Sequence, residues 1–249
     1  MEYQIHSYGK QSKWIPDIEH INEKAWPQFM QGEKVMRTYW GFLLNNFDHY
    51  QSVLTIENKI IAVVNSAPFR LGSDVNALHE NGIYWGLKQI SHNYYNELQP
   101  DTLMALQIVV NPDYQGKEIS YECLNILKTL AYQQGLDRVV IPLRPSSKHL
   151  YPLIDINNYV NWKNKEGFPY DPWLRVHIKA GGKIVKLCKG ISIQASIPQW
   201  EEWTGLHFGS TGSYVIPKAL NTIYADLDEN TATYSQDNIW VVHSVCSEQ

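Results

Sequence analysis

The segment from Leu103 to Leu143 constrains the fold more than any other stretch of this sequence. Leu103–Val110 is an apolar-rich run that ends at Asn111-Pro112, the pattern of a buried strand closed by a turn. Ile119–Gln134 then places Ile119, Cys123, Leu127, Leu130 and Ala131 on one face of a helix, with Gly135 positioned to cap it. Arg138–Leu143 is a second buried strand. Strand, helix and strand in this order predict a parallel pair joined by a right-handed crossover, because parallel neighbours need a connection that returns to the same end of the sheet.

Shorter signals surround this unit. Gln4–Tyr8 reads as a strand, Pro16–Phe29 as a helix with Ile18, Ile21, Ala25 and Phe29 on one face, and Val35–Phe47 as a second helix. Ser52–Ile56 and Ile60–Ser66, joined by Glu57-Asn58-Lys59, form a predicted antiparallel hairpin. An aromatic-rich helix is predicted over Gly82–Leu98. Further on, Asp171-Pro172 has the residues of an N-cap and first turn, so Trp173–Ala180 is expected to be helical and stopped by Gly181-Gly182. Strands are predicted at Ile184–Ile197, Ser213–Ile216, Leu220–Leu227 and Trp240–Val245, with a short helix at Pro198–Thr204. No repeat or Gly/Ser linker interrupts the chain, so residues 1–249 are read as a single mixed α/β domain.

Composition removes several function classes. A formal charge of −4 gives no electrostatic basis for nucleic-acid binding. No apolar run approaches the roughly 20 residues of a membrane span, and Met1–Lys10 has no signal-peptide pattern. Cys123, Cys188 and Cys246 are too scattered for a disulfide framework or a CxxC pair, which predicts a reducing, cytoplasmic setting. No CxxC or HExxH motif is present, so no metal is expected; a G-x-S-x-G elbow is absent too. The chain is rich in tryptophan and tyrosine, and Trp200, Trp203, Tyr214, Tyr224 and Trp240 either line an apolar channel or fill a core.

The strand Ala105–Val110 followed by Asn111–Ser120 resembles the donor-binding segment of the GNAT acyltransferase superfamily, in which a central strand runs into a Gln/Arg-x-x-Gly-x-Gly/Ala loop that opens a helix. Uncapped amides at a helix N-terminus suit a pyrophosphate, and a glycine lets the backbone approach it. Glu118 and Ser120 depart from the family's small residues. The resemblance covers Gln4–Leu143 in element order, and more loosely Asp171 to the end. The whole chain also resembles a bacterial GNAT-like group associated with peptide and polyketide biosynthesis, through Arg144–Lys148, Asp171–His177 and Asn238–His243.

That resemblance implies the GNAT fold, a central mixed, mostly antiparallel sheet flanked by helices, here with an elaborated C-terminal part. It implies an N-acyltransferase that moves an acyl group from acyl-CoA (acetyl-CoA or a longer chain), or from the phosphopantetheine of an acyl carrier protein, to the amine of a small molecule or peptide. The alternatives are a non-catalytic acyl-pantetheine-binding module and an enzyme that transfers the acyl group to a thiol. The donor would lie along Gln107, Ile108, Val109, Val110, Gln115, Gly116, Lys117, Glu118, Ile119 and Ser120. Arg144 and Lys148, following the second parallel strand, are further candidates for the donor's phosphates. In the family an acid, often tyrosine, lies four residues before the glycine that ends the later helix; counting back from Gly181 gives His177. Asp171 and Tyr151 complete the candidate catalytic set, with His149 a further acid or base candidate. His79, His92, Tyr94 and Tyr95 fall in the region that faces the acceptor in this fold.

Overall fold

A computed structural model describes residues 2–31 and 33–245. The chain runs β1 (Gln4–Ser7), α1 (Ile15–Ala25), α2 (Gln28–Gln31), α3 (Lys34–Asn46), β2 (Gln51–Ile56), β3 (Lys59–Phe69), α4 (Gly82–Tyr95), β4 (Thr102–Val110), α5 (Ile119–Gln133) and β5 (Arg138–Leu143). It continues through α6 (Ile156–Tyr159), α7 (Pro172–Lys179), β6 (Lys183–Ser196), α8 (Ile197–Thr204), β7 (Gly212–Tyr214), β8 (Ile223–Asp226) and β9 (Thr231–Ser244). Among the described residues, nine strands make one sheet in the order β1-β2-β3-β4-β5-β9-β8-β7, and β6 also pairs with β9. The β4–β5 pair is parallel, as the crossover requires, and the other pairings are antiparallel.

Two expected elements are corrected. The single helix over Pro16–Phe29 is two, because Pro27 removes an amide donor and its ring drives the preceding Trp26 into the extended region (φ −96°, ψ 142°). The last strand begins at Thr231, not Trp240. Its first half alternates in and out of the core, but Gln236 and Asn238 occupy inward positions, so the apolar signal is lost. The strands near Ser213 and Leu220 are shorter than expected.

Helices cover both sheet faces. Cys123, Leu124 and Leu127 of α5 pack with Val64, Leu103, Ala105 and, from α7, Leu174. Ile18 and Ile21 of α1 pack on the opposite face against Val63 and Val109. The faces of β4 would not alternate this way in a regular strand. A bulge at Leu106 leaves Ala105 opposite Ser66 and Gln107 opposite Asn65, and so turns Gln107 and Val109 toward α1. The aromatic residues expected in either a channel or a core divide: Trp200 and Trp240 are fully buried, whereas Tyr224 is exposed.

Candidate functional site

The parallel pair opens into a cleft at its carboxyl end. β4 and β5 pair only through Thr102–Arg138, Leu103–Val139 and Met104–Val140, although β4 continues to Val110 and β5 to Leu143. From Ala105 onward, the β4 edge that faces β5 has no strand partner, and its main-chain groups line the gap. At the far end, the Gln115–Ser120 loop delivers the chain to α5. Gly116 (φ +78°) and Glu118 (φ +60°) are both left-handed, and no side chain caps the helix. Gly116 pays little for this conformation; Glu118 costs about 1 kcal/mol. Alternation of this kind turns successive amides toward one concave side, where an anion can be held. The Glu118 side chain itself is exposed.

On the α1 side, one rim of the cleft meets α1 and the other meets Trp26, the residue that follows it. Gln107 Nε2 of β4 donates to Asn22 Oδ1 at 2.9 Å. One turn later on the chain, the Arg144 guanidinium, just beyond β5, lies 6.0 Å from the centre of the Trp26 ring. Arg144 is fixed by a relay of amides: its Nε donates to Gln236 Oε1 (3.2 Å), Gln236 Nε2 to Asn238 Oδ1 (3.1 Å), and Asn238 Nδ2 to the Pro142 carbonyl (2.9 Å). Arg144 Nη2 donates to the Lys218 carbonyl at 2.9 Å. Burial lowers the Arg144 pKa from its usual value, partly opposed by Tyr234 and Asp171. Trp26 and Lys218 also line a pocket of about 440 Å³ that Glu23, Phe29 and Trp203 help enclose. Asn22, Trp26, Gln236 and Asn238 were not among the expected site residues, although Asn238 opens the Asn238–His243 stretch that carries part of the resemblance.

The other expected residues are placed as follows. Asp171 is 2% exposed and caps α7, accepting from the amides of Trp173 and Leu174 (both 3.0 Å) and Ser147 (2.8 Å), and from the Tyr159 hydroxyl (3.0 Å). It thereby ties α7 to the chain leaving β5. Lys148 is buried, and its ammonium donates to the carbonyls of Tyr151 (2.9 Å) and Leu220 (2.7 Å), so its charge is engaged within the protein. The Tyr151 hydroxyl shares a 2.8 Å hydrogen bond with Tyr170, which raises its pKa. Arg175 Nη1 donates to the carbonyls of Pro169 and Tyr170. His149 Nδ1 lies 2.9 Å from the Ser146 carbonyl.

His177 is wholly buried, with Nδ1 2.9 Å from Nε2 of the buried His243. Desolvation, with His243 and Lys128 nearby, holds the His177 pKa down to about 3, and desolvation and Lys128 bring His243 to about 4. Both are neutral at pH 7, one ring donating to the other. Gly182 makes room for them, since a Cβ there would come within 2.7 Å of the His243 ring. Tyr94 packs edge-on against Phe42 and Phe47, and His79 stacks on Trp85. Cys123 and Cys188 are buried thiols pushed up to about 12 by desolvation; Cys246 lies outside the described residues. Among the described residues, no group of three or more His, Cys, Asp or Glu could hold a metal ion, and no helix is long and apolar enough to cross a membrane.

No family model matches the sequence. The chain is 31% identical over 258 residues to Arginine N-acetyltransferase avaD of Aspergillus versicolor, covering 92% of this chain and 88% of that protein. In fold it is similar to the loading GNATL domain of CurA from Lyngbya majuscula (TM-score 0.65, 15% identity, 98% of each chain). It is similar also to the GphF GNAT-like decarboxylase solved in complex with isobutyryl-CoA (TM-score 0.59, 15% identity, 98% of this chain and 100% of that one). With a relative of this identity across nearly the whole chain, and with the splayed parallel pair in the matching fold, the protein belongs to the GNAT superfamily and is an acyltransferase of that type.

Proposed function

We propose that the protein transfers an acetyl or other short acyl group from acyl-CoA to the amine of a small amino-acid-derived acceptor. The observation that carries this reading is the 31% identity, over 92% of the chain, to a protein named as an arginine N-acetyltransferase. The cleft supports it. The donor's phosphates sit at the amides of Gln115–Ser120, its pantetheine arm follows the unpaired β4 edge along Gln107–Val110, and the acceptor enters from the α1 side. The amine nitrogen attacks the thioester carbon, and main-chain N–H groups of β4 stabilise the developing oxyanion. The C–N bond forms as the C–S bond breaks; the amine gives its surplus proton to water, and the leaving thiolate takes one from an acid.

Tyr151 keeps that acid role in this proposal, because it is partly exposed and a tyrosine hydroxyl carries its proton at pH 7. His177 and Asp171 are assigned instead to holding α7 against the sheet, since neither side chain reaches solvent. Donors of graded chain length, and the same acyl groups on a carrier protein, tested against amino acids, amines, peptides and thiols, examine the reading together. The expected result is an amide product from acetyl-CoA and an amino acid, slowed about 10²-fold by Tyr151→Phe. Donor binding without transfer to any amine, or transfer only to a thiol, would reject it.

A further inference from the structure

Three amide side chains form a row across the sheet that ends at the unpaired edge of β4: Gln51 of β2 is in register with Asn65 of β3, and Asn65 with Gln107 of β4. Side chains so paired share a face and stand about 5 Å apart at Cβ. Gln51 and Asn65 are wholly buried, and Gln107 is half-buried. Main-chain carbonyls only accept, so Gln51 Nε2 donates to those of Phe47 and Ser66 (both 2.8 Å), and Gln51 Oε1 accepts from Asn65 Nδ2 (2.9 Å). Asn65 Nδ2 also donates to the Tyr8 hydroxyl. Asn65 Oδ1 is buried and accepts no hydrogen bond among the described residues.

At the strand edge the polarity repeats. Gln107 Nε2 donates to Asn22 Oδ1 at 2.9 Å, which leaves Oε1 as the unengaged end of that amide. Neighbouring amides in the row thus commit their N–H groups to the protein and keep an oxygen unpaired. A buried acceptor without a donor costs about 1–3 kcal/mol, and the negative ends of two fixed amide dipoles favour an N–H group or a developing positive charge on that face. The other β4 side chains beyond Met104 offer nothing of the kind. Ala105, Ile108 and Val110 join the core under α5, while Leu106 and Val109 are apolar and buried on the opposite face.

We infer that Gln107 Oε1 accepts a hydrogen bond from the attacking amine, with Asn22 as the positioning residue for its amide. This rests on the amine-acylation reading above and deepens it by naming the side chain that aims the nucleophile. A thioester held on the β4 edge, with α5 and its loop on one face, is open to attack from the α1 face, where Gln107 stands. An N–H held by Gln107 turns the nitrogen lone pair toward the thioester carbon, and the unpaired amide oxygens stabilise the positive charge that nitrogen gains as the C–N bond forms. An amide oxygen accepts a hydrogen bond but does not take the proton, which leaves with water. The amine therefore has to arrive neutral.

The test is a pH–rate profile with acetyl-CoA and two acceptors that differ in amine pKa: L-arginine and L-argininamide, or the best amino acid of the panel above and its amide. In the unaltered protein the rising limb of kcat/KM for the amine is expected to move with the acceptor's own pKa. The ionisable groups on the elements around Gln107 are Asp17, Glu19, His20, Glu23 and Lys24 of α1, Tyr8 and, across the cleft, Arg144. A limb that stays fixed for both acceptors would make one of these a base and overturn the inference. Gln107→Met keeps the side-chain length without the acceptor, and should lower kcat/KM for the amine by about 10–10²-fold while the KM for acetyl-CoA stays within about twofold. Gln107→Glu supplies a carboxylate that can take the proton, so the limb should extend to lower pH. Rates within about twofold in both variants, an acetyl-CoA KM that rises in step with the loss, or a slower Gln107→Glu variant whose limb does not move would each reject the role. Those outcomes leave amine acylation standing; failure of the unaltered protein to acylate any amine would reject the function itself, and the inference with it.

Discussion

Acidification from pH 7 to pH 5 is expected to lower the protein's stability by about 4 kcal/mol through two side chains, His177 and His243. Both rings are buried in contact, with pKa values brought down to about 3 and about 4 against an unfolded value near 6.5. A histidine whose folded pKa is depressed stabilises the fold fully above the unfolded pKa and progressively less as pH falls below it. In that window the unfolded chain binds protons that the folded chain refuses. The loss therefore begins near pH 6.5 and continues to about pH 4 for His243 and about pH 3 for His177. Per ring the cost at pH 5 is about 2 kcal/mol, and the interior offers little relief because Lys128 adds a like charge to both.

Chemical denaturation between pH 7 and pH 5 measures this, and the range stays above the titration of most carboxylates. Unfolding at pH 5 should take up about two protons, read by calorimetry in buffers of different ionisation enthalpy. A His177→Leu, His243→Leu double variant should show a flat profile over the same range, whatever its absolute stability. Uptake near one proton would mean that one ring is already charged or solvated in the folded protein, uptake near zero that both are, and an unchanged slope in the variant would place the pH dependence elsewhere.

The second large effect is expected at Asp171. Asp171→Ala removes the acceptor for three main-chain amides and the Tyr159 hydroxyl at one buried point. Losing the cap costs about 1 kcal/mol and leaving buried donors unpaired costs about 1–3 kcal/mol each, so a total near 4 kcal/mol is expected. For a chain of this size that corresponds to a fall in Tm of about 10 °C. Asp171→Asn keeps one acceptor oxygen and should cost less than half as much. The same pair of variants separates positioning from proton transfer. If Asp171 holds α7 in place, kcat of Asp171→Asn stays within about fivefold of the unaltered enzyme; a loss of about 10² with Tm unchanged would make it an acid–base group.

How much of this was readable from the chain depended on how each feature announces itself. The crossover from Leu103 to Leu143 is written in long apolar periods, and the strand and helix appear within one or two residues of their expected ends. The break at Pro27 was legible in principle, since proline disfavours helix in the residue before it, yet the periodicity of Ile18, Ile21, Ala25 and Phe29 ran straight across it. The first half of β9 was hidden because its inward positions hold Gln236 and Asn238, whose burial is made acceptable by a relay that only three dimensions reveal. Lys148 illustrates the converse. A cation in a loop after a strand suggests a phosphate contact, but two carbonyls distant in sequence or hidden in the turn already satisfy it. The rim on the α1 side escaped notice because Asn22 and Trp26 acquire partners only when α1 lies across the splayed strands.

The central claim is that acyl transfer takes place where β4 and β5 part. A crystal structure with a non-hydrolysable acyl-CoA analogue, in which the thioester is replaced by a thioether ketone, tests it most directly. The account predicts phosphate oxygens at the amides of Gln115–Ser120, and the carbonyl oxygen within hydrogen-bond distance of a β4 main-chain N–H beyond Met104. A donor bound elsewhere, or one whose carbonyl points away from the β4 edge, would contradict it.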